Sequence, residues 1–517
     1  MSTSQTTPKR SREKVIFDWL GQPVRSIYCL FSWLGATAIF FAIADALGGP
    51  TEGDVAESAY GTWAVAHAHL ACVYPPNGGH GLNDLANPFA VTAPLYPLFS
   101  GAWAALLRIG HAVAFPSQAQ LGPHCSKAFV AIFNWSVKSD AIMPTIRLSY
   151  LMWPILLAAV IALVRATGRG HTGWEPLSVV LLALTGPVYM SIVDYFHPQD
   201  ILAFALVLGA LACVLRDRWA WAGVLLGLAF TSQQFSLLVA LPLLVIVPPT
   251  RRLRYVTGGV IAAVVIDLPL IIASSGRGIK TVLFGSSRVG SNIRSTGGTV
   301  LWEVNLRGVL LFLVARVLPL VAVLALAWWA AKRLGPTALT PVALLALATT
   351  SMVLRLVFEV NLFGYYFMAT AVLLLLLNVA AGHIRGCVIA WIGLVTLAFN
   401  PVHWGLYSNL TLWSRGFHNA LPIALLAIGL LTVVVDATNR QLRIYKVLWV
   451  VVVALTCTPR SFGTFQVIFN PPHWLWQLIL VPTALMLAIE PLLTASNKSP
   501  KVATTSVSPE QSEIPNQ

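Results

Sequence analysis

Long apolar stretches separated by short polar connections make up most of this chain, and they are longer than a soluble core requires. The pattern predicts about fourteen membrane-spanning helices, within a range of about 12–14. Several stretches are shorter than the roughly 20 residues of a straight span, so we expect tilted or broken helices. The predicted spans are 27–48, 142–164, 177–193, 201–216, 219–232, 235–249, 254–274, 307–330, 339–357, 363–382, 386–401, 417–436, 444–458 and 473–493.

The charged residues predict the topology. Lys and Arg gather in alternate connections, whereas Asp, Glu, His and Trp occupy the connections between them. Because basic connections remain on the cytoplasmic side, this alternation predicts a multi-pass plasma-membrane protein with cytoplasmic N- and C-termini. The basic clusters are Lys9, Arg10, Arg12 and Lys14; Arg165 and Arg169; Arg216 and Arg218; Arg251, Arg252 and Arg254; Lys332 and Arg333; His383 and Arg385; and Arg440, Arg443 and Lys446.

The predicted fold is an all-α, polytopic transmembrane protein without a separate soluble domain. A cytoplasmic segment, 1–26, precedes the transmembrane domain, 27–493, and a Ser- and Thr-rich cytoplasmic tail, 494–517, is predicted to be disordered. The first outer loop, 49–142, contains an apolar stretch at 93–115. If that stretch crossed the membrane, every later basic connection would face outward. We therefore predict a juxtamembrane helix that lies along the outer surface.

Composition excludes one class of partner. The chain is 57% hydrophobic and 10% charged, with a net charge of +14. In a soluble protein this charge would indicate nucleic-acid binding. Here the basic residues lie beside apolar spans, where they set topology and contact anionic lipid headgroups, so we expect membrane lipids and no nucleic acid as partners.

The six cysteines form no metal-binding pattern. Cys72 and Cys125 both fall in the first outer loop and form a disulfide if the compartment is oxidising; the alternative is two unrelated thiols. No Walker motif, nucleophile elbow or metal-binding box is present.

An acidic pair, Asp54 and Glu57, follows the first span on the predicted outer face. A carboxylate at this position is suited to accept a proton from a substrate that arrives from outside. Alternatively, Asp54 caps a short helix that runs to Ala66, since Asp is a favoured N-cap residue.

The turn between the third and fourth spans holds Asp194, His197 and Asp200. Ionisable groups at this density between apolar helices are costly unless they are used or paired, so the turn indicates function. Gln233 and Gln234 are placed at another outer turn.

Further outer positions are Glu359, Tyr365, Tyr366 and His403. Paired aromatic residues are typical membrane-interface anchors, an interpretation that does not explain Glu359.

A basic outer loop, 275–306, departs from the charge rule. Its residues Arg288 and Arg294 either clamp a phosphate, to which guanidinium groups bind in bidentate fashion, or contact anionic lipid. Asp267 and Arg316 lie at similar depth in the seventh and eighth spans, and we predict that they form a structural ion pair.

Several of these segments resemble the GT-C glycosyltransferases, and most closely the actinobacterial members of glycosyltransferase family 87. Asp54 resembles the catalytic Asp that follows their first span, and 93–98 resembles their Pro-Pro-Leu-Tyr juxtamembrane segment. The runs 197–200, 222–229 and 231–235 resemble their His-Pro-Glu-Glu, Ala-Gly-x-x-x-Gly-Leu-Ala and Thr-Lys-Gln-Trp motifs, and the paired tyrosines at 365–366 resemble a later Tyr-Tyr motif. The likeness covers roughly the first 380 residues.

The resemblance implies a GT-C fold and an inverting hexosyltransferase that transfers a sugar, in this family commonly mannose, from a polyprenyl-phosphate donor to a lipid-linked or cell-envelope glycan. It also implies a bacterial inner membrane, with the active site on the outer, periplasmic face. Asp54 would be the general base, and no cofactor or metal is expected, although Asp54 with Asp194 and Asp200 offers three carboxylates. Two residues depart from the family motifs, since Gln199 replaces an acid and Ser232 replaces a Lys. Either the donor site is altered, or the arginines of the outer loop bind the phosphate instead. The competing hypotheses are a lipid or glycolipid transporter or flippase, and a non-catalytic subunit of an envelope-synthesis complex.

Overall fold

The described part of the chain is all-α. The computed structural model describes residues 18–47, 53–73, 94–109, 115, 125–138, 143–194, 196–276, 310, 313–359, 364–388, 485–486 and 488–493. Among them, the regular secondary structure is helical, with one isolated β-bridge between Pro23 and Thr172.

Besides the helical residues 384–388 and 488–493, fifteen α-helices of the described part have defined bounds. They are α1 (Ser26–Leu47), α2 (Gly53–Ala66), α3 (Leu95–Ile109), α4 (Cys125–Lys138), α5 (Met143–Ser149), α6 (Met152–Ala166), α7 (Trp174–Ala183), α8 (Gly186–Tyr189), α9 (Pro198–Leu215), α10 (Trp219–Ser232), α11 (Leu237–Ile246), α12 (Pro249–Ala273), α13 (Leu318–Leu334), α14 (Pro341–Val357) and α15 (Phe367–Ala381). Two π-helical turns, Met190–Asp194 and Leu313–Val317, continue α8 and precede α13.

The length and apolar character of its helices identify the chain as a membrane protein. Within the described ranges, five helices are long and apolar enough to cross a bilayer, or six if the pair Trp174–Ala183 and Gly186–Val193, bent by 52°, counts as one span. Shorter apolar helices occupy the predicted spans near 219–232, 235–249, 339–357 and 363–382. The last four predicted spans lie mostly outside the described residues, so the total of about fourteen remains a prediction.

Hydrogen bonds bring together the ends of the helices that carry basic residues. Arg216 donates from Nη2 to the carbonyl oxygen of Ala162 (3.2 Å), which links the last turn of α6 to the end of α9. Arg169 donates in the same way to Ala380 at the end of α15 (3.5 Å). We call this the inner end and the opposite end the outer end, following the predicted topology.

An aromatic stack joins α1 to the helices behind it. The ring of Phe40, which is fully buried, stacks on Trp153 of α6 at 4.5 Å between centroids and on Tyr189 of α8 at 5.2 Å. Such offset stacks add to the free energy gained from burial alone. The stack fixes α8 and the following turn, which leads directly to His197.

Two helices of the first outer loop pack through small residues. A Cβ at Gly61 of α2 would lie 3.0 Å from Pro97, and one at Gly101 of α3 would overlap Val65. Thr62 and Ser100 hydrogen-bond across this contact at 2.7 Å. The predicted helix to Ala66 and a helix within 93–115 are both confirmed; that α3 lies along the membrane surface remains a prediction.

A disulfide joins Cys72 and Cys125, with Cα atoms 5.3 Å apart, so of the two alternatives open from the sequence the bridge is the one present. It links the 3₁₀ turn Leu70–Cys72, after α2, to the first residue of α4.

We expect the double variant Cys72→Ser/Cys125→Ser to destabilise the outer loop by about 4 kcal/mol, because the bridge restricts the unfolded chain. Hydrogen exchange of α2 and α4 in the purified protein measures this loss. The single variant Cys213→Ser, which removes a free cysteine, is the control. Equal exchange in the double variant and the wild type would contradict a stabilising role.

The glycine-containing run 222–229 makes a close crossing between α10 and α12. A Cβ at Gly223 would overlap the carbonyl oxygen of Tyr255, and one at Gly227 would overlap that of Gly259. Small residues of this kind let helix backbones approach closely in membranes. The role that the structure gives this run is therefore helix packing.

Candidate functional site

The turn before α9 places three polar side chains at the outer end. Phe196 has a left-handed backbone conformation (φ 53°), which is costly for a bulky residue and needs support from its surroundings. It turns the chain so that His197 precedes α9 and Pro198 begins the helix, where the missing N–H of proline costs nothing. Gln199 and Asp200 then lie in the first turn of α9, 3% and 5% exposed.

Gln199 connects this turn to its neighbours. Its side-chain Nε2 lies within hydrogen-bond distance of Nδ1 of His197, at 3.0 Å. Its carbonyl oxygen accepts a hydrogen bond from Ser232 at the end of α10 (2.8 Å). The two residues that depart from the family motifs, Gln199 and Ser232, thus contact each other directly.

Asp200 faces polar groups from its own turn and from two other elements. The side chain of Gln233 donates a hydrogen bond to it, and His197 and the guanidinium of Arg355 lie near enough to interact with it electrostatically. Its Oδ1 and the Oε1 of Gln199 are buried and have no hydrogen-bond partner among the described residues. A buried acceptor without a donor costs about 1–3 kcal/mol, so these two atoms are suited to a ligand that brings hydroxyl donors.

Arg355 is held rigidly beside Asp200. Its guanidinium carbon lies 4.9 Å from the ring centroids of both Phe235 and Tyr366, and its Nε donates to Glu359 Oε2 at 3.3 Å. Flat guanidinium groups stack well on aromatic faces, and this arrangement fixes the direction of their N–H donors.

Glu359 joins two arginines, and this corrects one prediction. Its side chain is 4% exposed, and its Oε1 accepts from Nη1 of Arg316 at 3.4 Å. We predicted that Arg316 pairs with Asp267, which was the wrong partner. The π-helical turn Leu313–Val317 puts Arg316 at the outer end of its span, where it reaches Glu359 of the next outer connection. Asp267 is buried in α12.

The paired tyrosines line the same cluster. The rings of His197 and Tyr365 stack at 4.3 Å between centroids, and Tyr365 meets Tyr366 edge to face at 4.5 Å. The structure therefore brings together six predicted site residues, which we call the outer polar cluster together with Gln199, Ser232, Phe235, Arg316 and Arg355. The six are His197, Asp200, Gln233, Glu359, Tyr365 and Tyr366. Gln234, also predicted, begins the 3₁₀ turn that follows Gln233.

Other predicted residues lie outside what the structure describes. Asp54 occupies the first turn of α2, so it lies within that helix rather than capping it from outside. The side chains of Asp54, Glu57 and Asp194 lie outside the described set, and so do the whole residues Arg288, Arg294 and His403. Their roles remain predictions.

Sequence reasoning missed Arg355, although a signal was present. Arg355 and Glu359 are four residues apart at the end of an apolar span, the spacing at which opposite charges meet on one helix face. A charge inside an apolar span also marks a functional candidate. No comparable local signal identifies Phe235, which reaches Arg355 only through the packing of α11 against α14.

One group at the inner end of the described bundle has the residue types of a metal site. Cys29, His171 and Glu175 have potential ligand atoms within 4.8 Å of one another. However, Arg165 donates to both oxygens of Glu175, at 3.0 and 3.1 Å, and the backbone N–H of His171 donates to one of them. This saturated carboxylate serves as a structural ion pair that closes the inner end.

No family model, curated protein or solved structure matches this chain. The family resemblance therefore remains one of motifs, and the assignment of function has to come from the outer polar cluster itself.

Proposed function

We propose that this chain is a membrane glycosyltransferase that acts on the outer face. It takes a sugar, for which we propose mannose, from a polyprenyl-phosphate donor and transfers it to a lipid-linked or cell-envelope glycan. The observation that carries the proposal is the outer polar cluster, in which Gln199, Asp200 and Glu359 are buried at one end of a largely apolar bundle. Its unpartnered acceptors at Gln199 and Asp200 suit the hydroxyl groups of a sugar, while the half-exposed guanidinium of Arg316 suits a phosphate.

The proposed reaction is a single inverting displacement. The oxygen of an acceptor hydroxyl attacks the anomeric carbon and forms the new glycosidic bond. The bond from that carbon to the phosphate oxygen breaks, and the phosphate leaves with the electron pair. Asp54 takes the hydroxyl proton as general base. Positioned charges in the enzyme lower the barrier because they stabilise the charge that develops in the transition state more than they stabilise the ground state.

His197 and Asp200 would orient the sugar or acceptor hydroxyls in this scheme. Their positions are fixed by Gln199, Gln233 and Tyr365. Arg288 and Arg294 of the basic loop are proposed to stabilise the leaving phosphate from outside the described cluster. A phosphate is a good leaving group, so the scheme requires neither a metal nor a cofactor.

A transporter or flippase is the second candidate. Discontinuous helices with broken backbone hydrogen bonding line substrate sites in secondary transporters. The 52° bend between Trp174–Ala183 and Gly186–Val193, together with the buried Asp267 within α12, favours this alternative. A transporter would move a glycolipid without changing its sugar composition. If the chain is a non-catalytic subunit, substitutions in the outer polar cluster would leave the sugar composition of the glycolipids unchanged.

The test is mass spectrometry of envelope glycolipids from cells with and without the chain. We expect one glycolipid to lack a hexose in the deletion strain and to regain it with the wild-type gene. Unchanged sugar composition with an altered distribution between leaflets would favour the transporter. A missing pentose would support a glycosyltransferase whose donor carries a pentose in place of a hexose.

A variant of Asp200 tests the site within the same assay. We expect Asp200→Asn to lower transfer about a hundredfold, because positioned charges and hydrogen bonds contribute on this scale. The matched control is Asp45→Asn, which also removes one carboxylate but lies exposed beside Arg147. Full activity of Asp200→Asn would remove Asp200 from the site.

A further inference from the structure

Glu359 lies between two guanidinium groups that are held in different ways. Arg355 is 17% exposed, stacks between two aromatic rings and donates to Oε2, whereas Arg316 is 43% exposed and makes a single 3.4 Å contact to Oε1. One arginine is therefore fixed by its surroundings, and the other is held mainly by the charge of Glu359.

The ion pair at the inner end shows what a structural pair looks like in this chain. Glu175 is fully buried, and Arg165 engages both of its oxygens at about 3 Å. Arg316, in contrast, uses one of the five N–H donors of its guanidinium in its contact with Glu359. Because Arg316 is 43% exposed and its single contact is long, this contact contributes little stability and can be exchanged at low cost.

We propose that Glu359 is an internal counter-anion, and that a phosphate group displaces it from Arg316. Without ligand, Glu359 neutralises Arg316 at the outer end of an apolar span, where an unpaired charge is costly. When a phosphate arrives, Arg316 turns to it and forms the bidentate contact that phosphate oxygens permit. Arg355 keeps its hold on Glu359, so that the carboxylate never becomes an unpaired buried charge.

This inference deepens the proposed function, on which its biological meaning rests, because it assigns the phosphate of the donor to Arg316. The chemistry recognised is a phosphate anion, carried either by a lipid or by a free ion. Glu359 sets the affinity, since any phosphate has to compete with it. The prediction that follows is counter-intuitive for a simple structural pair: removal of the Glu359 charge strengthens phosphate binding.

Equilibrium binding to the detergent-purified full chain tests the proposal, with farnesyl phosphate and inorganic phosphate as separate probes. We expect Glu359→Gln to bind farnesyl phosphate about tenfold more tightly and Arg316→Gln to bind it about tenfold more weakly, the range of one charged hydrogen bond. The control is again Asp45→Asn, whose affinity should equal that of the wild type.

The two probes distinguish the sources of the phosphate. Shifts with farnesyl phosphate alone support a lipid-borne phosphate, and equal shifts with inorganic phosphate support a site for the free ion. Unchanged or weaker binding by a folded Glu359→Gln protein would overturn the proposal, as would unchanged binding by Arg316→Gln. If Glu359→Gln does not fold, Arg316→Gln alone decides, since Arg316 is half exposed and its replacement leaves the buried pair intact.

The binding assay is independent of catalysis. If the expected shifts occur in a protein that transfers no sugar, the glycosyltransferase is refuted and the phosphate site stands. If sugar is transferred but both variants bind phosphate like the wild type, the displacement of Glu359 by phosphate is refuted, and the proposed glycosyltransferase activity stands.

Discussion

Replacing Asp54 with asparagine is expected to lower sugar transfer at least about a hundredfold while leaving the amount of folded protein unchanged. Asparagine keeps the size of the side chain but cannot take up the proton of the acceptor hydroxyl, and a positioned general base contributes about 10²–10⁴ in rate. Asp54 lies in the first turn of α2, and asparagine has almost the same size and shape, so we expect the helix to form as in the wild type. Transfer by the purified protein, with thermal unfolding measured in parallel, checks both parts.

Asp45→Asn is the control for this variant, because it removes an exposed carboxylate near the predicted outer end of α1. If Asp54→Asn transfers sugar at the rate of the Asp45→Asn control, Asp54 is not the base. If it is both inactive and unstable, Asp54→Glu separates the effects, since glutamate retains the proton acceptor.

Gly227→Ala is expected to destabilise the bundle by at least about 3 kcal/mol, the upper part of the range for overpacking. The added methyl group would overlap the carbonyl oxygen of Gly259, which belongs to the backbone of α12 and cannot rotate away. The helices would have to separate, and with them the end of α10 that supports the outer polar cluster. Thermal unfolding of the purified variant in detergent measures the loss.

Gly35→Ala is the matched control, since a Cβ at Gly35 meets nothing within 4 Å. The same methyl group there should leave stability unchanged or raise it by up to about 1 kcal/mol, because alanine is the better helix former. A Gly227→Ala protein as stable as Gly35→Ala would show that α10 and α12 do not depend on this close crossing.

The sequence predicted the order of the helices well, because apolar length and charge position are local properties. The break at Gln233 between α10 and α11 was predicted, and so was the position of His197, Asp200 and Glu359 at the same end of the spans. Charged and polar residues are costly within a bilayer, so their presence in an apolar span marks a candidate site even when their neighbours in space are unknown.

Partners in space were much harder to predict. Arg316 was assigned to Asp267 on estimated depth, but a π-helical turn changes the direction of a side chain in a way that hydropathy does not record. Gln199 and Ser232 were noted only as departures from motifs, and their contact depends on how α9 meets α10. The glycine run resembled a functional motif, yet its backbone contacts are those of helix packing.

A cryo-electron microscopy structure of the full chain with a non-transferable polyprenyl-phosphate sugar analogue tests the central claim most directly. The account predicts that the sugar contacts Gln199 and Asp200, that its phosphate lies on Arg316, and that the Asp54 carboxylate faces the same outer cavity. Density for the sugar near Arg165 at the inner end, or an Asp54 side chain separated from the cluster by the bilayer, would contradict it.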